Sequence, residues 1–256
     1  MKKISNWLVR VDSNTDTDIS LICFPYAGGD VAIFSKWHTL LPDNIAIYAV
    51  QLPGRGRCAT KPFVNEINLV TEGVYQDIKR NLTGDVILYG HSNGAILALD
   101  LACHFKHTNN NRLKHVIFSG KNFPDKSAPA LTISESSDEN EVKALLSDYG
   151  ATPTYLLESE DFLSYYLPIF KSDIVLAGGY HYPLKQPLPY PCSFIYASED
   201  QLIHRDLLYR WEQVSEHYQL IEVSGGHFVI DSEPESFTQI IDGLIQEYQM
   251  VKLLTY

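Results

Sequence analysis

The chain has 256 residues, about 45% of them hydrophobic and 20% charged, and its formal net charge at pH 7 is −11. This length suits one substantial core and is short for two domains, and the composition is that of an ordinary globular protein. The acidic balance disfavours nucleic acid as a partner, because no basic tract is present to neutralise phosphates, and it disfavours stable docking on anionic membranes.

Short apolar runs separated by helical patterns predict buried parallel strands. The runs are 19–24, 45–50, 85–89, 115–119, 193–197 and 218–223. The predicted helices are 30–41, 66–82, 93–105 and 234–250, and the last opens with a proline, which suits a first helical turn. Strands that alternate with helices indicate a mostly parallel sheet with helices on both faces, here within a single domain, 1–256.

The segment 123–186 breaks this alternation, because it contains no convincing strand. It begins with an acidic polar stretch and continues with helical periodicity and many aromatic residues. An insertion of this length in a compact domain is usually functional, so we predict a helical lid; the alternative is an ordinary helical excursion whose aromatics pack.

The cysteines have no zinc-site spacing, and Cys23, Cys103 and Cys192 lie inside apolar runs, which predicts buried, reduced thiols. The N-terminus has no apolar secretory core, and no run reaches the ~18–20 apolar residues of a membrane span. We therefore expect a cytoplasmic protein.

The stretch DVILYGHSNGAILALDLA (85–102) places Ser92 between two glycines where a strand pattern changes to a helix pattern. A sharp strand-to-helix turn exposes a serine hydroxyl on a rigid backbone, and glycines two residues to either side let neighbouring chain approach closely. The motif G-x-S-x-G alone is weak evidence, but this context makes Ser92 the candidate nucleophile. The alternative is a plain glycine turn with a solvent-facing serine.

A nucleophilic serine in such a turn needs an acid and then a histidine later in the chain. Asp200 follows the strand pattern 193–197, and His227 follows the last strand pattern after two glycines. Both positions are carboxyl ends of strands, where open α/β sheets carry their chemistry. Histidines 181 and 204 are the serious rivals for the base, and Glu199 and Asp231 are the weaker choices for the acid.

Two backbone amides are candidates to stabilise the oxyanion of an acyl-transfer intermediate. One is the amide of Asn93, which follows the nucleophile and opens a helix. The other is the amide of Ala27, in the glycine-containing loop after strand 19–24. A phosphate-binding loop fits this glycine pair poorly, since there is no G-x-G-x-x-G and no Walker lysine.

The order of the motifs resembles type II thioesterases, the free-standing editing enzymes of nonribosomal peptide and polyketide synthases, whose relatives include the medium-chain fatty-acid synthase thioesterases. The motifs are LICFPYAGGD (21–30), LPGRGR (52–57), YGHSNGA (89–95), LPIFKSDIVLAGGYHY (167–182), ASEDQLI (197–203) and GGHFVI (225–230). Two departures stand out: Asn93 occupies a position where methionine is usual, and Lys171 replaces an arginine.

The resemblance implies an α/β-hydrolase fold with a helical lid over residues 123–186. It implies hydrolysis of acyl groups from the phosphopantetheine arm of carrier proteins, with Ser92, Asp200 and His227 as the triad and the amides of Ala27 and Asn93 as the oxyanion hole. No metal or organic cofactor is expected, because pantetheine belongs to the substrate. Carrier-protein domains are expected as transient partners of a monomer.

Three points stay open. Arg55, Arg57 and Lys61 could receive the pantetheine phosphate, or they could be solvated loop charges. A carboxylesterase or acyltransferase could use the same fold, since a fold does not settle a function. A catalytically silent interaction protein could also retain this scaffold.

Overall fold

The computed structural model describes residues 2–3, 5–13, 17–125, 133–183 and 186–254. Its strands in chain order are β1 (Lys2–Lys3), β2 (Leu8–Arg10), β3 (Ile19–Phe24), β4 (Ile45–Val50), β5 (Asp85–His91), β6 (Leu113–Ser119), β7 (Cys192–Ala197) and β8 (Tyr218–Val223). They form one eight-stranded sheet in the order β1-β2-β4-β3-β5-β6-β7-β8. Strands β3 to β8 pair in parallel, so the predicted mostly parallel sheet is confirmed.

The strands β1 and β2 were not predicted. They pair antiparallel, β2 against β4, at one edge of the sheet. The strand β2 has only three residues, which is too short for an alternating pattern to stand out from its surroundings.

Helices cover both faces of the sheet, as predicted. They are α1 (Ile67–Asn81), α2 (Asn93–His107), α3 (Glu139–Asp148), α4 (Thr154–Leu157), α5 (Glu160–Gly178), α6 (Val229–Ser232) and α7 (Pro234–Leu254). The helices α1 and α2 contribute to one buried cluster, with Val74 and Leu97 among its members. The helix α7 contributes Ile241 and Ile245 to a second cluster built on other strand residues.

The predicted helix 30–41 is wrong, because two short 3₁₀ helices, Val31–Phe34 and Trp37–Thr39, take its place. The buried residues of this segment, Val31, Phe34 and Trp37, are three positions apart. A 3₁₀ helix has three residues per turn, so this spacing aligns all three side chains toward the sheet. The same spacing recurs in the 3₁₀ helix Arg205–Val214, which buries Leu208, Trp211 and Val214.

Three helices, α3 to α5, lie between β6 and β7, and the described residues of this segment form no strand. Together they build a small apolar cluster of their own, which includes Val142, Phe170 and Ile174. Ala27, in the loop after β3, belongs to the same cluster. The insertion is therefore packed onto the carboxyl-end rim of the sheet. Residues 126–132 and 184–185 of the predicted lid lie outside the described residues.

All four cysteines are buried free thiols, including Cys58, for which no prediction was made. Burial raises the pKa of the Cys103 thiol to about 12 and raises those of Cys23 and Cys192 well above the usual range. Among the described helices, none has the length and apolar character that crossing a bilayer requires.

The buried imidazole of His115 predicts a loss of stability in acid. His115 lies in β6, its Nε2 is 2.8 Å from the hydroxyl of Ser193, and burial lowers its pKa to about 4. In the unfolded chain His115 has a pKa near 6.5 and binds a proton that it does not bind in the folded chain. The free energy of unfolding therefore falls as the pH drops below about 6.5. At pH 5 this one group is expected to cost about 2 kcal/mol of unfolding free energy relative to pH 7.5.

Urea denaturation of the wild type and of His115→Gln at pH 7.5 and pH 5 measures this effect. The variant is expected to lose about 2 kcal/mol less than the wild type over this interval. The exposed His38 supplies the control His38→Gln, which should follow the wild type. Equal losses in the wild type and His115→Gln would contradict the prediction.

Candidate active site

Ser92 occupies the turn between β5, which ends at His91, and α2, which begins at Asn93. Its backbone angles are φ 53° and ψ −117°, a conformation that residues with a side chain rarely adopt. The flanking glycines permit this turn, because a Cβ on Gly90 would lie 2.1 Å from the carbonyl oxygen of Gly94. The amide of Ser92 donates to the carbonyl of Ser119 at 2.8 Å and so ties the turn to β6.

The structure brings Asp200 and His227 to this serine from two other strand ends. Asp200 follows β7, and His227 follows β8. The Nδ1 atom of His227 is 2.7 Å from Asp200 Oδ2, and its Nε2 atom is 3.1 Å from Ser92 Oγ. All three residues are buried, each with at most 9% of its surface exposed. A carboxylate only accepts hydrogen bonds, so Nδ1 carries the ring proton and Nε2 is left to accept the serine proton.

The rival acids and histidines have other contacts. Asp231 accepts a hydrogen bond from the hydroxyl of Tyr26 at 2.8 Å, and Glu199 is exposed. His181 and His204 line the same cavity as Ser92, but neither forms a hydrogen bond with it among the described residues.

His91 is directed away from Ser92, as its place in the turn predicts. Its Nδ1 atom is 2.8 Å from the hydroxyl of Ser119, and its ring centroid is 5.0 Å from that of His227. Burial lowers the pKa of His91 well below its usual value, so the imidazole is neutral.

The two predicted oxyanion donors lie on the same rim. Asn93 is the first residue of α2, where backbone N–H groups have no acceptor within the helix. Ala27 lies in the tight turn after β3, in which the amide of Gly29 donates to the carbonyl of Tyr26 at 3.0 Å. Their role in catalysis stays a prediction.

A buried ion pair joins this turn to the helical insertion. Both terminal nitrogens of Arg55 donate to the carboxylate of Asp173 in α5, with Nη2 to Oδ1 at 2.5 Å. The Oδ2 atom of Asp173 also accepts from the amide of Gly28 at 2.7 Å, and Arg55 Nη1 donates to the carbonyl of Gly29 at 3.0 Å. Since Ala27 precedes Gly28, this pair fixes the loop that carries a candidate oxyanion amide.

This pairing corrects both interpretations of Arg55. The side chain of Arg55 is only 3% exposed, so it is neither a solvated loop charge nor available to a phosphate. Lys171 also has a local role, since its ammonium donates to the carbonyls of Glu135 and Ser137 at 2.7 Å and 2.5 Å. Since Lys171 lies in α5, these bonds attach the segment before α3 to the helix α5.

A cavity of about 770 Å³ opens at Ser92 and His227 beneath the insertion. Its wall combines apolar side chains, among them Ile96, Leu145 and Val175, with the ammonium-bearing Lys121. A cavity of this size and character accommodates a small-molecule acyl group. Across the described part of the chain, no group of three or more His, Cys, Asp and Glu residues is arranged to hold a metal ion.

Two polar residues that follow β6 have contacts at this rim that were not predicted from the sequence. Asn122 donates to the carbonyl of Leu202 and accepts from the amide of His204, both at 2.8 Å, so it holds the loop that begins at Asp200. Lys121 donates to the side-chain oxygen of Asn93 at 3.0 Å. Both residues follow the carboxyl end of a strand, at the rim that carries Ser92, and this position could have indicated a role at the site.

Comparisons with known proteins give the family and the fold of the chain. A family model described as "Thioesterase domain" matches residues 19–247. The protein named linear gramicidin dehydrogenase LgrE, from Brevibacillus parabrevis, is 27% identical over 248 residues, which is 95% of this chain and 94% of that protein. The medium-chain S-acyl fatty acid synthase thioesterase of Rattus norvegicus is 28% identical over 233 residues, covering 90% of this chain and 87% of that protein.

Solved structures show the same fold. The crystal structure of ClbQ, from the colibactin NRPS/PKS pathway, superposes with a TM-score of 0.83 at 26% identity, covering 92% of this chain and all (100%) of that chain. The predicted α/β-hydrolase fold class is thus confirmed.

Proposed function

The chain belongs to the thioesterase-domain family, and from this premise we propose that it is a type II thioesterase that hydrolyses acyl groups from the phosphopantetheine arms of carrier proteins. The resemblance of its motifs to the editing enzymes of nonribosomal peptide and polyketide synthases supports this substrate class. The similarity to ClbQ, whose structure is described as part of an NRPS/PKS pathway, supports it further.

In the proposed reaction, Ser92 Oγ attacks the thioester carbonyl while His227 Nε2, 3.1 Å away, accepts its proton. Asp200 holds the imidazole in the required tautomer and stabilises its positive charge. The amides of Ala27 and Asn93 donate to the oxyanion, a contribution of about 2.7–4 kcal/mol for a single donor. The pantetheine thiol leaves with the proton, and His227 then activates water to release the acid.

The observation that carries this proposal is the contact chain from Asp200 through His227 to Ser92, which ends at a cavity. The three residues follow three different strands, so their side chains come within hydrogen-bond distance only when the sheet is folded. The name dehydrogenase, which LgrE bears, finds no support in this chain, because the glycine pair at 28–29 lacks the spacing of a dinucleotide-binding loop.

The insertion that contains α3 to α5 is proposed to act as a lid over this cavity. The proposed lid comprises residues 123–186. Carrier domains are proposed to dock transiently on a cytoplasmic monomer. With a net charge of −11, this chain gains little from long-range attraction to acidic carriers, so the docking is expected to be weak.

A paired-substrate assay tests the proposed function. Acyl-pantetheine thioesters and the oxygen esters of the same acyl groups are compared by kcat/KM. The thioester is expected to be hydrolysed at least about tenfold faster, because the acyl groups are matched and the thiolate is the better leaving group.

Preference for the oxygen ester would favour a carboxylesterase, and transfer of the acyl group to an added alcohol would favour an acyltransferase. A serine-directed phosphonate probe separates both from a silent scaffold. Folded protein that does not label at Ser92 would support the silent interpretation.

A further inference from the structure

The cavity contains one cation that the proposed mechanism does not use. Lys121 lies two residues beyond the end of β6, and its backbone carbonyl accepts a hydrogen bond from the indole of Trp211 at 3.0 Å. Its ammonium donates to the Oδ1 atom of Asn93 at 3.0 Å. The residue therefore stands in the wall of the cavity that Ser92 and His227 also line.

The orientation of Asn93 is set by a second contact. Its Nδ2 atom donates to the backbone carbonyl of Asp173 at 2.8 Å, so its oxygen faces Lys121. The nucleophile and this amide are neighbours in the chain. Because consecutive Cα atoms are 3.8 Å apart, the ammonium lies within roughly 10 Å of the Ser92 backbone.

Lys121 has no carboxylate partner among the described residues. Asp125, also in the cavity wall, pairs with Arg210, and Asp200 pairs with His227. Asp173 pairs with Arg55. An ammonium has three donors, and Asn93 occupies one of them.

Lys121 is half-buried, and a cation partly withdrawn from water without a counter-ion is unfavourable. Burial accordingly lowers the pKa of Lys121 to about 8, and the group still carries its charge at neutral pH. An anion entering the cavity would offset this cost and use the remaining donors.

We propose that Lys121, held by Asn93 beside the nucleophile, binds a carboxylate on the acyl group, so that short half-thioesters of dicarboxylic acids are the preferred substrates. This inference rests on the proposed thioesterase function. The phosphate of the pantetheine arm is the less suitable occupant, because the whole length of the arm separates it from the thioester at Ser92.

The test compares glutaryl-pantetheine with its methyl ester, which has the same chain but no charge. Wild-type kcat/KM is expected to favour the glutaryl substrate at least about tenfold, since a hydrogen bond to a charged group is worth a factor of about 10–100. Lys121→Met is expected to lower this ratio about 10- to 100-fold. Lys79→Met, on the exposed face of α1, should keep the wild-type ratio.

Inhibition of the wild type gives a second measurement that needs no variant. The inhibitory concentration of glutarate is expected to be at least about tenfold lower than that of the neutral glutaramide. Equal loss of both substrates in Lys121→Met, or a wild-type ratio near one, would overturn the inference and leave the thioesterase function standing. A wild type that hydrolyses neither thioester would instead count against the proposed function.

Discussion

Replacing Ser92 with alanine is expected to reduce kcat/KM for acyl-pantetheine hydrolysis about 10⁵- to 10⁶-fold, the loss typical of a serine hydrolase without its nucleophile. The variant keeps the strand ends and the contact of His227 with Asp200, so the defect should be chemical. No other hydroxyl of the described residues has a hydrogen bond to the imidazole of His227. Release of the pantetheine thiol, followed with a chromogenic disulfide, measures the rate.

Ser236→Ala is the matched control, since Ser236 is an exposed serine of α7. It should retain wild-type kinetics, and both variants should unfold near the wild-type temperature. Activity of Ser92→Ala above about a hundredth of the wild type would remove Ser92 from the proposed reaction.

Replacing Arg55 with methionine is expected to cost about 3–5 kcal/mol of unfolding free energy. The substitution leaves the carboxylate of Asp173 buried without its cation, and among the described residues only the amide of Gly28 still donates to it. Denaturant titration measures the loss. Arg80→Met, at the exposed end of α1, is the control and should change stability by less than about 0.5 kcal/mol.

The double variant Arg55→Met, Asp173→Leu separates stability from catalysis. Replacing both members of a buried pair with apolar residues is often neutral for stability, so most of the lost free energy should return. Hydrolysis by the double variant should be slower than that of the wild type, because the amide of Gly28 loses the acceptor that positions the loop of Ala27. A double variant that regains full activity would show that the pair serves stability alone.

The sheet was largely predictable because its central strands are buried on both faces. The runs 19–24 and 45–50 coincide with β3 and β4, in which every residue is buried. The run 218–223 coincides with β8, but β8 is an edge strand with no buried residue, so the prediction of a buried strand there is wrong. Continuous apolar segments of this length have few alternatives in an α/β chain. The antiparallel edge was missed, because a three-residue strand depends on its partner more than on its own pattern.

The 3₁₀ segments show a limit of helical periodicity. The spacing of Val31, Phe34 and Trp37 was present in the sequence, but over so few residues a period of 3.0 is easily mistaken for 3.6. Only packing against the sheet distinguishes the two.

The candidate triad was predictable from chain order, whereas its supports were not. Ser92, Asp200 and His227 follow the carboxyl ends of β5, β7 and β8, which lie at one rim by the geometry of a parallel sheet. The pairing of Arg55 with Asp173 spans 118 residues and depends on where the insertion packs. No local pattern encodes such a contact.

The inaccessibility of the cysteines bears on the fate of the product. The proposed thioester hydrolysis would release a free pantetheine thiol in the cavity at Ser92, and disulfide exchange requires a thiolate as the attacking group. Cys23, Cys103 and Cys192 are held as protonated thiols by burial, and Cys58 is enclosed as well. The protein thus offers the thiol that the proposed reaction releases no accessible sulfur with which to form a mixed disulfide. Turnover in that reaction is therefore expected to tolerate oxidising conditions under which an exposed cysteine would link the enzyme to the carrier arm.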